Sequence, residues 1–408
     1  MHRRQLLKLF AAAPLAAASA RLWAAPPGSD QAPRFLLVFL RGGYDAANLL
    51  VPYSSDFYYE SRPHIAVPRP DSGAGAAIAL NTDWALHPAL TDTVLPLYRQ
   101  GQAAFVPFAG TQDLTRSHFE TQDHIELGQG PNPRDFRNGF LNRLASVLGN
   151  RAQPMAFTAQ LPLSLSGPDR VPNMAMVNAG KTGLNAHNSD LLAQMYRGTE
   201  MGATVREGFA VQKQVMDDMQ NATVAGYAGE MLAASRGAAN PRSFAAQAQR
   251  IGTLMRNQFN IGFVDVGGWD THVGEAGRNG AEGQLAQRLS ELGAGLAALP
   301  QAMGPAWNQT VVVVLSEFGR TFRENGNRGT DHGHGTVYWV LGGAVRGGRI
   351  AGEQVQVAQS TLNQDRDWPV LTDYRSLLGG IFRRQWGLSP AQVNTVFPGA
   401  APVDLQLV

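Results

Sequence analysis

Residues 261–266 read IGFVDV, residues 284–300 read QLAQRLSELGAGLAALP, and residues 310–315 read TVVVVL. The first and last are continuous apolar runs, the pattern of strands buried on both faces of a parallel sheet. Between them Leu285, Leu289, Leu292, Leu296 and Leu299 recur at alternating steps of four and three, which is one stripe of a helix. Glu282, Gln284, Gln287, Arg288 and Glu291 lie off that stripe. Strand, helix, strand in this order is a right-handed parallel crossover of an α/β domain.

Three more runs extend the reading: Phe35 to Leu40, Ala103 to Phe108 and Val337 to Leu341, each ending in polar or glycine-rich sequence. All five are expected to run parallel. Residues 206–257 read as a mainly helical insertion broken at Pro241, with Met216, Met219, Met231 and Met255 as core packing. Pro68 to Gly75 and Gly128 to Pro133 read as loops within one domain spanning 30–408.

The start of the chain has a different character. Arg3-Arg4-Gln5-Leu6-Leu7-Lys8 matches the twin-arginine export pattern, and an alanine-rich stretch too short to span a bilayer runs from Leu9 to Ala20. Residues 1–20 are expected to be a signal peptide, with cleavage as late as about residue 25. The chain is then periplasmic or secreted, with the twin-arginine translocase as its partner during export. Removing Arg3, Arg4 and Lys8 takes the formal charge from +2 to −1, so no basic excess points to nucleic acid. The sequence has no cysteine, which excludes thiol catalysis and thiolate metal sites. No later segment is long and apolar enough for a stable membrane span.

In parallel sheets ligands bind beyond the carboxyl ends of the strands, so the residues just after each run carry the functional reading. After the first comes Arg41-Gly42-Gly43-Tyr44-Asp45-Ala46-Ala47-Asn48, where Arg41, Asp45 and Asn48 can face an anion or a metal. After the second comes Ser117-His118-Phe119-Glu120. Ser117 reads equally as an activated oxygen nucleophile at a helix start and as an N-cap in a capping box with Glu120. The third run leads to Asp270-Thr271-His272, and the fourth to Ser316-Glu317-Phe318-Gly319-Arg320. The loop before the fifth holds Asp331-His332-Gly333-His334. Clustered Asp, Glu and His at successive strand ends suit one divalent cation or an acid/base site, and Arg41 and Arg320 suit a bound phosphate or sulfate. Tyr44, Trp269 and Trp339 are near enough to the strand ends to stack on a sugar, with core packing favoured for Trp339.

Leu40-Arg41-Gly42-Gly43-x-Asp45, Ser117-His118-Phe119, Gly268-Trp269-Asp270-Thr271-His272, Ser316-Glu317-Phe318-Gly319-Arg320-Thr321 and Asp331-His332-Gly333, with the twin-arginine start, resemble the Domain of Unknown Function 1501 family over nearly the whole mature chain. The resemblance implies an α/β/α sandwich with a largely parallel central sheet, like that of the alkaline phosphatase and sulfatase superfamily. It also implies that Ser117 is the nucleophile, with His118 a metal ligand or proton donor beside it. Asp45, Asp270, His272, Glu317, Asp331, His332 and the weaker His334 then supply ligands for a divalent metal such as zinc, calcium or manganese. His332 alternatively protonates the leaving group. Arg41 and Glu317 replace the superfamily's usual ligands at two strand ends, which implies a reduced, single-metal or metal-free site.

The reading that follows is an exported hydrolase of phosphate or sulfate esters. The alternatives are a non-catalytic exported protein that binds an anionic glycan or cell-envelope ligand, and an exported structural partner of another protein.

Overall fold

Alternate residues of the first strand point to opposite sides of a sheet: Leu36, Val38 and Leu40 enter one hydrophobic cluster, and Phe35, Leu37 and Phe39 enter another. The two clusters are the two interfaces of a three-layer sandwich. The structure, a computed structural model, describes residues 29–130, 135–176, 238–239 and 241–408.

In chain order the elements begin with β1 (Arg34–Leu40), α1 (Ala46–Leu49), β2 (Leu50–Val51), α2 (Asp56–Ser61), β3 (Ile78–Ala79), β4 (Ala85–Leu86), α3 (Val94–Arg99) and β5 (Ala103–Gly110). There follow α4 (His118–Leu127), α5 (Phe140–Leu148), β6 (Pro154–Ala156), α6 (Pro241–Asn257), β7 (Ile261–Val266) and α7 (Gln284–Met303). The last are β8 (Thr310–Ser316), β9 (Thr336–Leu341), β10 (Arg349–Ile350), β11 (Thr372–Asp373), α8 (Tyr374–Trp386) and α9 (Pro390–Val396).

The main sheet runs β10-β5-β9-β8-β1-β7-β6, with β11 also on β5, while β2, β4 and β3 form a small separate sheet. β1 pairs in parallel with both β7 and β8, so the β7-α7-β8 crossover steps over β1. The leucine stripe of α7 is buried at all five positions against one face of the sheet, each side chain stabilising the fold by about 2 kcal/mol. α6 lies beside α7 at close range: a Cβ on Gly295 would sit 2.2 Å from the Phe244 ring. α5, α8 and α9 cover the opposite face.

One strand departs from the sequence expectation. β9 is antiparallel to both of its neighbours, β5 and β8. Its amino end therefore lies at the carboxyl edge of the other strands, and the loop in front of it, Asp331 to Gly335, joins that edge. The helical insertion is observed only as α6, where Met255 is buried as expected. The signal peptide, residues 206–237 with Met216, Met219 and Met231, and part of the Gly128 to Pro133 loop lie outside the described residues. Among the described residues no helix is long and apolar enough to cross a membrane.

Candidate functional site

Three imidazoles and one carboxylate meet at the carboxyl edge of the sheet. His118 opens α4 after β5, Asp270 and His272 follow β7, and His332 precedes β9. Asp270 Oδ1 lies 3.5 Å from His118 Nε2, 3.0 Å from His272 Nε2 and 3.3 Å from His332 Nε2. The Nε2 atoms of His272 and His332 are 3.0 Å apart.

The opposite ring nitrogens fix what these atoms can do. His118 Nδ1 bonds Glu317 Oε1 at 2.7 Å, His272 Nδ1 bonds Asp331 Oδ1 at 3.0 Å, and His332 Nδ1 bonds the Arg116 carbonyl at 3.0 Å. Carbonyls and carboxylates only accept, so each Nδ1 carries the hydrogen and each neutral ring turns an Nε2 lone pair to the centre. His118 Nε2 is buried without a hydrogen-bond partner. Two facing lone pairs at 3.0 Å repel unless a proton or a cation lies among them. Ligands at ~2.0 to 2.1 Å from a tetrahedral ion are separated by roughly 3.3 Å, close to the 3.0–3.5 Å between Asp270 Oδ1 and the imidazoles, while the atoms of His118, Asp270 and His332 all lie within 4.8 Å of one another. The donor set therefore fits a divalent cation held by His118, Asp270 and His332, with His272 at its edge.

In the metal-free protein the same carboxylates favour a second proton on His118, which a cation would displace. Burial pushes His118 down, but Asp270 and Glu317 more than offset it and hold the imidazole up at about 9. Burial also raises the Asp270 carboxyl, and His118, His332 and Arg320 overcome this and hold it far below the usual carboxylate range.

Glu317, expected as a metal ligand, instead stands behind His118. It is fully buried, its Oε1 accepts from the Gly42 amide at 2.8 Å and Gln122 Nε2 at 2.9 Å, and its Oε2 accepts from Ser316 Oγ at 2.9 Å. Asp331 likewise backs His272 and does not reach the centre itself. His334 turns away toward the Asp113 loop, where burial and Arg116 lower it to about 4.

The two arginines expected to hold a substrate anion are both committed to the protein. Arg320 donates from Nε to Gly43 O, from one terminal nitrogen to Gly42 O, Trp269 O and Asp270 Oδ1 (2.5 Å), and from the other to Thr330 O, with His272 Nε2 at 3.5 Å from that same nitrogen. Arg41 is paired with Asp265 at 2.6 Å and Glu126 at 2.9 Å, and its third nitrogen bonds Gln122. Asn48 is fully buried, donating to Ile65 O and accepting from Tyr58 and Arg62. Asp45 is an ion-pair partner of buried Arg62 and stays out of the cluster. Tyr44, Trp269 and Trp339 are fully buried in an edge-to-face row, so none can stack on a sugar.

Ser117 occupies the N-cap position of α4, yet its side chain makes no capping bond, and the expected capping box does not form. It follows Arg116, a non-glycine residue held at φ +54° with its guanidinium on buried Asp367 and its carbonyl on His332. Such a left-handed residue stores strain where the surrounding contacts dictate its conformation. The half-exposed Ser117 is thus one residue from the carbonyl that orients His332 and one residue from His118.

Sequence reasoning passed over several supporting residues. Glu275 is fully buried and accepts from Thr271 Oγ1 at 2.8 Å and Thr330 Oγ1 at 3.0 Å, pinning together the residues just before His272 and Asp331. Burial and the neighbouring Asp45 push its carboxyl well above the usual range. Gln122 and Glu126, four apart on α4, both face Arg41; that spacing on a helix was the readable signal.

The fold and the site define an α/β/α protein with a mostly parallel sheet and a histidine–aspartate centre suited to one divalent cation. The chain belongs to the family described as "Protein of unknown function (DUF1501)", whose profile matches residues 32–397. No curated protein matches it. Among solved structures it is similar to a protein in the alkaline phosphatase superfamily from Vibrio parahaemolyticus, with 10% identity and a TM-score of 0.35 over 78% of this chain and 62% of that one. The chain thus spans under two thirds of that protein's length. It is also similar to alkaline phosphatase from the Antarctic bacterium TAB5, with 11% identity and a TM-score of 0.31 over 76% of this chain and 92% of that one. A third similar structure is BT1596, a 2-O GAG sulfatase, with 9% identity and a TM-score of 0.33 over 91% of this chain and 73% of that one.

Proposed function

We propose that this protein is an exported, single-metal hydrolase of phosphate or sulfate esters. The observation that carries the reading is the convergence of three Nε2 atoms on Asp270 Oδ1, each ring locked from behind through its Nδ1. A divalent cation held by His118, Asp270 and His332 would supply Lewis-acid charge to the ester oxyanion, and the imidazole-rich set favours zinc over calcium or manganese.

The chain's own residues supply the rest. Ser117 Oγ forms the bond to phosphorus or sulfur while the ester's alcohol oxygen departs. The serine proton passes through His272, the most exposed of the three imidazoles and the one backed by Asp331, to that departing oxygen. Water then cleaves the serine ester and restores the hydroxyl. Arg320 neutralises Asp270 and fixes the loops that carry the ligands. Exposed Phe119 and Val273, each next to a histidine of the centre, give its mouth an apolar edge.

One observation favours a non-catalytic protein on the same fold, binding an anionic glycan or envelope ligand: Arg41 and Arg320 have every side-chain nitrogen engaged by the protein. The deciding experiment is metal analysis of protein recovered from its own periplasm, with hydrolysis of aryl phosphates and aryl sulfates assayed on wild type and Ser117→Ala. Stoichiometric metal with hydrolysis that disappears in the variant is the expected result. Metal without hydrolysis supports the binding protein, and absence of both removes the metal centre.

A further inference from the structure

Arg288 lies on the side of α7 that the sequence assigns to solvent, but the structure half-buries it against the turn that follows β7. A side chain at Gly268 would meet its Nε 3.8 Å away, so the guanidinium lies over the Gly267-Gly268 turn that leads into Asp270. One terminal nitrogen bonds Gln284 Oε1 at 3.1 Å. The other is buried and has no partner. No carboxylate among the described residues pairs with it, while the charges of Glu275, Glu291, Arg320 and Asp270 act on it.

The buried arginines Arg34, Arg41, Arg62, Arg143 and Arg320 are built differently, each engaging all three of its nitrogens. A guanidinium nitrogen withdrawn from water and left unbonded is unfavourable, and an arriving oxyanion relieves it with charge and acceptor together. Arginine's planar fork matches the oxygens of phosphate and sulfate.

We infer that Arg288 is the substrate-anion residue of this protein, receiving a tetrahedral oxyanion, the phosphoryl or sulfuryl group, beside the His118–Asp270–His332 centre. This deepens the hydrolase reading and rests on it. It also fills the role that Arg41 and Arg320 cannot perform. The departing alcohol contributes nothing to this contact, so Arg288 sets the preference for the anionic group and leaves the rest of the substrate to the mouth of the site.

The test is calorimetric titration of the metal-loaded full chain with inorganic phosphate and with sulfate, with metal content measured on each sample. Arg288→Gln is expected to weaken anion binding about ten- to a hundredfold at unchanged metal content, with Arg288→Lys intermediate. With an aryl ester the loss falls on KM more than on kcat. Gln284→Glu covers the case in which Arg288→Gln does not fold: it keeps the guanidinium and gives it an internal carboxylate, and is expected to weaken the anion likewise. Wild-type protein with full metal that binds neither anion, or Arg288→Gln and Gln284→Glu proteins that bind as tightly as wild type, would overturn the inference. Failure of the hydrolase reading shows separately, as wild-type protein that holds no metal, or that holds metal and binds the anion but hydrolyses neither aryl ester.

Discussion

Glu317 and His118 form a dyad in which the Glu317 carboxylate, fully withdrawn from solvent, accepts the Nδ1 hydrogen of half-buried His118 at 2.7 Å. The same oxygen accepts from Gly42 and Gln122, so the acid ties the Gly42 turn to α4 and aims one imidazole. A glutamine there would remove the negative charge that holds the Nδ1 hydrogen of His118. Glu317→Gln is expected to lower metal affinity about 10- to 100-fold with the fold retained, read by chelator competition. An unchanged affinity would show that His118 needs no such support.

His118 sets a pH dependence for the metal-free protein. Its folded value of about 9 lies above the ~6.5 of an unperturbed histidine. The folded state therefore binds this proton more tightly than the unfolded chain does. The stabilisation is complete below pH ~6.5 and is lost as pH rises through about 9. Denaturant titrations of metal-free protein across that window should show declining stability, and His118→Gln should flatten the decline. A parallel decline in the variant would assign it to another group.

Arg41 is predicted to matter for folding and not for substrate. Arg41→Ala leaves Asp265 and Glu126 buried without their cation, a loss of about 3–5 kcal/mol that thermal denaturation would register. Variant protein that still folds should keep wild-type KM for an aryl phosphate. A raised KM at normal stability would return Arg41 to the substrate.

Gly42 is held at φ +124°, and a Cβ there would stand 2.7 Å from the Asp270 amide nitrogen. Gly42→Ala is expected to cost about 1–3 kcal/mol in stability and to weaken metal binding by displacing Asp270. Metal binding at wild-type strength would mean that the Asp270 turn yields without moving its carboxylate.

Much of the fold was legible because each apolar run is a strand and the α7 leucines share one face. The direction of β9 was not, since an unbroken run such as Val337 to Leu341 reads the same either way. Placing polar clusters at strand ends singled out His118, Asp270, His272 and His332. It could not separate ligands from their supports, because Glu317 and Asp331 have the same chemistry as Asp270 and differ only in which atom they face. Arg41 and Arg320 were misread for a related reason: their acceptors are carbonyls and acids brought in from distant segments, which no local spacing announces. Arg288 was hidden by a helix whose stripe explains its leucines so well that the remaining residues read as solvent.

The pairing of β1 with β7 and β8 also has a temporal meaning. This interior strand is made first, yet both of its neighbours lie more than two hundred residues further along the chain. Sheets dominated by such distant pairings form slowly. The last histidine of the centre comes after β8, so a ribosome must deliver roughly four fifths of the polypeptide before any ion can be captured at full strength. Ion capture would then mark a finished molecule and set it apart from a partly made one.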